Sequence, residues 1–189
     1  NLMNTKRIPI KTKSQRVFMN EFKKVIISGL EEYLEALYKA IDGLSNNELR
    51  WQPSLESNNI IYLIWHMARV EDNWINQVMG GNQNTWVKNG WNKKFPFDED
   101  DYGKGYEKQD LANLPDMNKD LLMKFYEEQR LESLKVIETL TEVDLSKEYK
   151  RLSGELKIGY WILGHVLVEE SQHLGQIAYI RGMIKGLNN

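Results

Sequence analysis

The stretch HVLVEESQHLGQIAYIRG (165–182) carries three chemically reactive side chains at intervals of four residues. Its apolar residues recur with helical period, which predicts an α-helix across the stretch. Residues four apart are neighbours on one helix face, so His165, Glu169 and His173 stand in one column. Such groups are costly to bury without partners, so the column indicates either a functional site or hydrogen-bonded core residues.

Helical periodicity extends over most of the 189 residues. We predict no sheet and four long helices, at about residues 14–41, 57–79, 117–140 and 158–184. Helices of this length favour an all-α fold, an up-and-down four-helix bundle. Residues 14–186 then form a single domain, and residues 1–13 form a disordered or extended N-terminal tail.

A long, glycine-rich connection separates the second and third predicted helices at residues 80–114. Connections of this length within a compact domain are usually functional or disordered. The aromatic residues here can bury a large area, which argues against disorder. We therefore predict an ordered loop that covers one end of the bundle. Its aromatic residues are Trp86, Trp91, Phe95, Phe97, Tyr102 and Tyr106.

The composition excludes several classes of protein. The formal net charge is -2, and no block of basic residues offsets it, so we expect no nucleic-acid partner. The chain has no cysteine, which excludes disulfides and thiolate metal sites. No run of about 18 apolar residues and no apolar signal segment is present, so we expect a cytoplasmic protein without membrane contact.

The histidine column can hold part of a metal site. Glu169 could share one ion with His173 or with His165, but not with both, because the two histidines lie about 12 Å apart along the helix axis. A further ligand must come from another helix, and His66 is the remaining histidine. Two imidazoles and a carboxylate leave coordination positions open, as in catalytic zinc sites. The alternative is that each histidine is a hydrogen-bonded structural residue.

A di-iron site is a competing interpretation of the same helix. Glu170 and His173 have the Glu-x-x-His spacing of ferritin-like di-iron bundles. Such a site needs two copies of that motif and two further glutamates. Neither His66 nor His165 has a glutamate three residues before it, so the sequence excludes this site.

Two segments together resemble the DinB-like superfamily, namely NIIYLIWHMARVEDNWI (59–75) and HVLVEESQHLGQIAYIRG (165–182). LSNNELRWQPSLESNNI (44–60) is similar to the turn before the second helix of that family. GWNKKFPFDEDDYGKGY (90–106) is similar to a loop found in a subset of its members. The resemblance spans nearly the whole chain. It implies a four-helix bundle, often a homodimer, that binds one divalent metal ion through three side chains.

The resemblance also implies which residues bind the metal. The first and last ligand positions of the family fall on His66 and His173. The middle position, commonly histidine, is Glu169 here, and this His, Glu, His set is similar to that of the mycothiol-dependent maleylpyruvate isomerase branch. His165 falls on a family position beside the ligands. His165 and Glu170 are candidates for orienting ligands or moving protons.

The function implied is a divalent-metal-dependent enzyme acting on a small molecule through a metal-bound nucleophile. The reaction would be transfer of a low-molecular-weight thiol, such as bacillithiol, or hydrolysis. Zinc or nickel is the expected metal, and iron and manganese also suit the ligand set. The alternative is a non-catalytic, metal-binding dimeric bundle related to stress.

Overall fold

The structure, a computed structural model, describes residues 13–151 and 153–187, and within them it is mostly helical. The helices are α1 (Lys13–Ile41), α2 (Asn46–Arg50), α3 (Ile60–Glu71), α4 (Thr85–Lys88), α5 (Trp91–Lys94), α6 (Lys108–Ala112), α7 (Lys119–Thr139), α8 (Glu142–Ser146) and α9 (Gly159–Lys185). Helix α3 continues directly into a π-helical segment, Asp72–Met79. Apart from Lys13, the expected tail at 1–13 lies outside the described residues.

The mostly helical fold that the periodicity predicts is confirmed, and capping residues explain where two of the long helices begin. The second predicted helix begins at Ile60 rather than at residue 57 or 58, because the side chain of Asn59 accepts the backbone N–H of Tyr62 at 2.9 Å. Helix α7 begins at Lys119, where the side chain of Asn118 accepts the N–H of Leu121 at 2.9 Å.

The long helices pack against one another through apolar faces. Helix α9 packs along α1 and α3, and α3 also packs against α7. Leu30 and Leu37 of α1, Ile64 of α3, Phe125 of α7 and Ile177 of α9 are all fully buried.

No helix in the described part of the chain is long and apolar enough to cross a membrane.

A β-hairpin precedes α9, where the sequence analysis predicted no sheet. Strands β1 (Glu148–Lys150) and β2 (Leu156–Ile158) are antiparallel, with Tyr149 opposite Lys157. The turn is closed by a hydrogen bond from Arg151 N to Glu155 O, 2.9 Å long. Strands of three residues are too short to produce a recognisable sequence period. Because the hairpin leads directly into α9, its side chains lie beside the start of that helix.

The long connection at 80–114 is folded, as its aromatic content predicts. It forms the three short helices α4, α5 and α6. Trp86 is completely buried and packs on Phe125 of α7, with 4.9 Å between ring centroids. Phe97 stacks on Trp65 of α3 with 4.1 Å between centroids. These contacts hold the connection against α3 and α7.

Two buried charged residues attach the same connection to α3 and its π-helical continuation. Arg69 donates from Nε to the carbonyl of Asp101 at 3.0 Å. Asp72 accepts the backbone N–H groups of Thr85 and Trp86, each at 2.9 Å. Both side chains are almost completely buried, so their polar atoms depend on these partners.

Arg130 of α7 makes buried contacts with the other three long helices. Its Nε donates to Glu71 Oε1 of α3 at 2.8 Å, and its Nη1 donates to the carbonyl of Leu30 in α1. Its Nη2 lies 3.3 Å from Glu170 Oε2 of α9. The hydroxyl of Tyr126 donates to the same Glu170 oxygen. One guanidinium therefore links α1, α3, α7 and α9.

Replacing Arg130 with methionine should destabilise the fold by about 3–5 kcal/mol, because Glu71 and Glu170 would lose their buried cation. The free energy of unfolding is measured by urea denaturation. Lys135→Met is the matched control, since Lys135 is exposed and its ion pair is with Glu132 on the same helix, so its effect should be much smaller. An equal effect of the two substitutions would contradict the role assigned to Arg130.

Candidate metal centre

His66 of α3 and Glu169 and His173 of α9 converge at one place. Nε2 of His173 lies 3.0 Å from Glu169 Oε2, and Nε2 of His66 lies 3.8 Å from the same oxygen. One candidate ligand atom from each residue lies within 4.8 Å of the other two. The three side chains are 12, 22 and 15% exposed, respectively, so a small solute can reach them. The structure thus brings together the three residues that the family resemblance implies as ligands.

The spacing of these atoms fits a divalent cation. A tetrahedral ion with ligand bonds of about 2.1 Å separates its ligand atoms by roughly 3.4 Å. The two distances to Glu169 Oε2, 3.0 and 3.8 Å, lie on either side of that value. Two imidazole nitrogens and one carboxylate oxygen are ligands that zinc and nickel accept.

The second ring nitrogen of each histidine fixes the orientation of that ring. Nδ1 of His66 donates to the carbonyl of Tyr102, in the connection between α3 and α7. Nδ1 of His173 lies 3.0 Å from Oε1 of Gln176, one turn further along α9. These bonds direct both Nε2 atoms toward Glu169. Metal-binding histidines are usually held in the same way, with the ring nitrogen that does not bind the metal hydrogen-bonded to a neighbouring group.

The charge on Glu169 also favours a bound cation. The hydrogen bond from His173 and the nearby imidazole of His66 hold the pKa of the Glu169 carboxyl well below its usual range. Burial alone would lower the pKa of His173, because it disfavours the charged imidazole. The hydrogen bonds to Glu169 and Gln176 outweigh burial, so the pKa of His173 is raised. Glu169 is therefore ionised at neutral pH and already attracts positive charge.

His165 lies beside the three converging residues rather than among them. Its Nε2 is 3.6 Å from Oε1 of Glu169, whereas His66 and His173 face Oε2, the other oxygen of that carboxylate. Its ring stacks on Trp161 with 4.5 Å between centroids. Burial lowers the pKa of His165. The structure thus puts His165 next to a candidate ligand, in a position to orient it.

Glu170 faces the opposite way, into the core. It is almost completely buried and contacts Tyr126 and Arg130 of α7. Burial raises the pKa of Glu170, the guanidinium of Arg130 opposes this shift, and the nearby carboxylate of Glu71 adds to it. From this position Glu170 can hold α9 in place, and it is not among the described residues that line the cavity beside His66 and Glu169.

A cavity of about 220 Å³ opens beside His66 and Glu169. Part of its wall comes from segments without a periodic pattern, which gave no signal in the sequence: Arg151, Glu155 and Lys157 of the β-hairpin and Lys104 of the connection between α3 and α7. The described residues that line it are His66, Val70, Trp74, Tyr102, Lys104, Arg151, Glu155, Lys157, Trp161, His165 and Glu169. A somewhat larger cavity, of about 310 Å³ between α1 and α7, contains none of the candidate ligands.

Comparison with known proteins gives a family and a structural neighbour. The sequence profile of a family described as mycothiol-S-transferase matches residues 25–186. The crystal structure of a conserved Enterococcus faecalis protein is similar in fold, with a TM-score of 0.74 and 19% sequence identity over 86% of this chain and 96% of that one. Among curated proteins, none is significantly similar in sequence.

Substitution of Gly103 should disturb the loop that orients His66. Gly103 has a φ of +80°, and an added Cβ would lie 2.8 Å from Trp65 and 2.9 Å from Tyr62. Gly105 has a similar φ of +74° but open space around it. Gly103→Ala should therefore lower the free energy of unfolding by about 1–3 kcal/mol more than Gly105→Ala does. Equal urea denaturation curves for the two variants would contradict this close packing.

Gln176 should tune metal affinity through His173. Removing the hydrogen-bond partner of a metal-binding histidine typically weakens binding about 10–100-fold, so Gln176→Ala should weaken zinc binding by about that factor. Gln172→Ala is the control, because Gln172 is an exposed residue of the same helix. Competition with a chromophoric chelator measures both affinities. The assignment fails if the two variants bind zinc equally well.

Proposed function

The chain belongs to the mycothiol-S-transferase family, and on that premise we propose that it is a metal-dependent transferase for a low-molecular-weight thiol. In the proposed reaction the thiol sulfur forms a bond to an electrophilic carbon of a small acceptor. The electron pair of the broken acceptor bond goes to a leaving group, and the thiol proton goes to a base. The observation that carries the proposal is the convergence of His66, Glu169 and His173 beside an open cavity.

We propose that these three residues hold one divalent cation, zinc or nickel. Such an ion would supply a Lewis acid that lowers the pKa of a thiol or water molecule beside it. The chain itself contributes ligand orientation, through the Tyr102 carbonyl and Gln176, and a negative charge at Glu169. Bacillithiol or a related thiol is the proposed cosubstrate.

His165 is the proposed positioning residue for the carboxylate. It contacts the oxygen of Glu169 that His66 and His173 do not approach, and its ring is held by Trp161. It also lines the cavity, so its imidazole is within reach of a bound thiol. Glu170 is proposed to act only through the packing of α9, because its contacts are with Tyr126 and Arg130.

The architecture proposed for this site is an up-and-down four-helix bundle made of α1, α3 with its π-helical continuation, α7 and α9. The contacts of α9 with α1 and α3, and of α3 with α7, support this arrangement. The fold similarity to the Enterococcus faecalis protein extends over most of both chains and is consistent with it. Family membership favours thiol transfer over hydrolysis, the other reaction considered for the ligand set.

His173→Ala and His66→Ala should each lower kcat/KM by at least about 100-fold. Loss of a residue that only orients a metal ligand typically lowers activity about 10–100-fold, and loss of the ligand itself should lower it more. The assay measures the rate at which zinc-loaded protein joins bacillithiol, mycothiol or cysteine to the electrophile 1-chloro-2,4-dinitrobenzene. Gln172→Ala is again the control and should keep full turnover.

Two outcomes would contradict the proposal. Full turnover after removal of metal with a chelator would exclude a metal-dependent reaction. Stoichiometric zinc binding that depends on His66 and His173, without turnover with any of the thiols, would instead favour the non-catalytic metal-binding alternative.

A further inference from the structure

The wall of the cavity beside the candidate metal centre has an excess of positive charge. Arg151 and Lys157 come from the β-hairpin, and Lys104 comes from the connection between α3 and α7. Among the described lining residues, the carboxylates are Glu169, which belongs to the metal centre, and Glu155. Three cations therefore face one carboxylate outside the metal centre.

Arg151 is held rigidly in the wall of this cavity. It is 9% exposed, and its guanidinium carbon lies 4.2 Å from the ring centroid of Trp74 and 4.9 Å from that of Tyr102. Its Nη2 donates to Asn73 at 2.8 Å. A guanidinium has five N–H donors, and this bond uses one of them. The Glu155 carboxylate is 3.7 Å from Nη1 of Arg151, beyond hydrogen-bond distance.

The two lysines extend the cationic surface toward solvent. The ammonium group of Lys157 lies 4.2 Å from the ring centroid of Trp161 and 3.3 Å from a Glu155 oxygen. Lys104 is exposed and directly follows Gly103, the residue that packs against His66. The cations and the metal centre therefore lie along the same cavity, with Trp74 and Trp161 on its wall.

We propose that Arg151, Lys157 and Lys104 form an oxyanion subsite that binds a carboxylate or phosphate group of the thiol substrate. This inference rests on the proposed function, because it takes the sulfur of the same molecule to lie at His66, Glu169 and His173. The cavity of about 220 Å³ is smaller than the roughly 300–1,000 Å³ of sites for drug-sized ligands. It therefore suits a small thiol acid, or the anionic end of a larger thiol.

A matched pair of thiols tests the subsite. 3-Mercaptopropionate and 3-mercapto-1-propanol have chains of the same length and differ in having a carboxylate or a hydroxyl. Cobalt-loaded protein is titrated with each, and binding is followed by the change in the visible cobalt spectrum. The carboxylate should bind about ten-fold or more tightly, as expected for hydrogen bonds between charged groups.

Substitution then identifies the residues responsible. The double variant Lys104→Met/Lys157→Met should lose most of the preference for the carboxylate while its affinity for 3-mercapto-1-propanol stays unchanged. Arg151→Lys keeps the positive charge and should retain part of the preference. Lys135→Met, which removes a lysine that does not line this cavity, should behave like the wild type. Cobalt content, measured for every variant, shows that the centre is intact.

A second measurement separates this inference from the proposed function. The indole N–H resonances of Trp74 and Trp161 are followed in metal-free protein as propanoate or inorganic phosphate is added. Shifts with propanoate alone identify a carboxylate site, and shifts with phosphate identify a phosphate site. Either result supports the subsite if the double variant abolishes it.

The negative outcomes are equally distinct. Equal affinity for the two thiols, with no indole shifts, overturns the oxyanion subsite and leaves thiol transfer standing. A cobalt spectrum that neither thiol changes overturns the proposed thiol chemistry, and the indole shifts then decide the subsite alone. A carboxylate preference that survives undiminished in the double variant overturns the assignment to Lys104 and Lys157.

Discussion

The buried guanidinium of Arg130 is the contact on which the geometry of the whole site depends. It joins Glu71 of α3 to Glu170 of α9 and also bonds to the backbone of α1. Successive residues of an α-helix point about 100° apart, so holding Glu170 toward the core turns Glu169 toward α3 and His66. A charge network inside the protein thereby sets the rotation of the helix that carries two of the three candidate ligands.

The helices and the candidate ligands could be predicted from the sequence to different extents. Long apolar periodicity was sufficient for α1, α7 and α9, whose ends lie within two residues of the predicted ones. Spacing alone could not choose between His165 and His173, since each is four residues from Glu169. That choice depends on how α9 docks on α3, which is a tertiary property, and it was the family resemblance that favoured His173.

Other parts of the site had no local signal in the sequence. Arg130 lies 59 residues from Glu71 and pairs with it only because α3 and α7 pack together. The β-hairpin has strands of three residues, so the position of Arg151 between Trp74 and Tyr102 could not be inferred from periodicity. Such contacts are set by the packing of distant segments, and a pattern search along one chain does not detect them.

The hairpin and the loop around Gly103 pack against the helices that supply the candidate ligands but are separate segments of the chain. Exposed side chains in these segments, such as Lys104, can change without moving the backbone of α3 or α9, whose positions are fixed by buried packing. Loops on a rigid scaffold are where binding preference usually diverges. In this architecture, one reactive centre can be retained while the entrance is remodelled, so relatives with the same three ligands need not share a substrate.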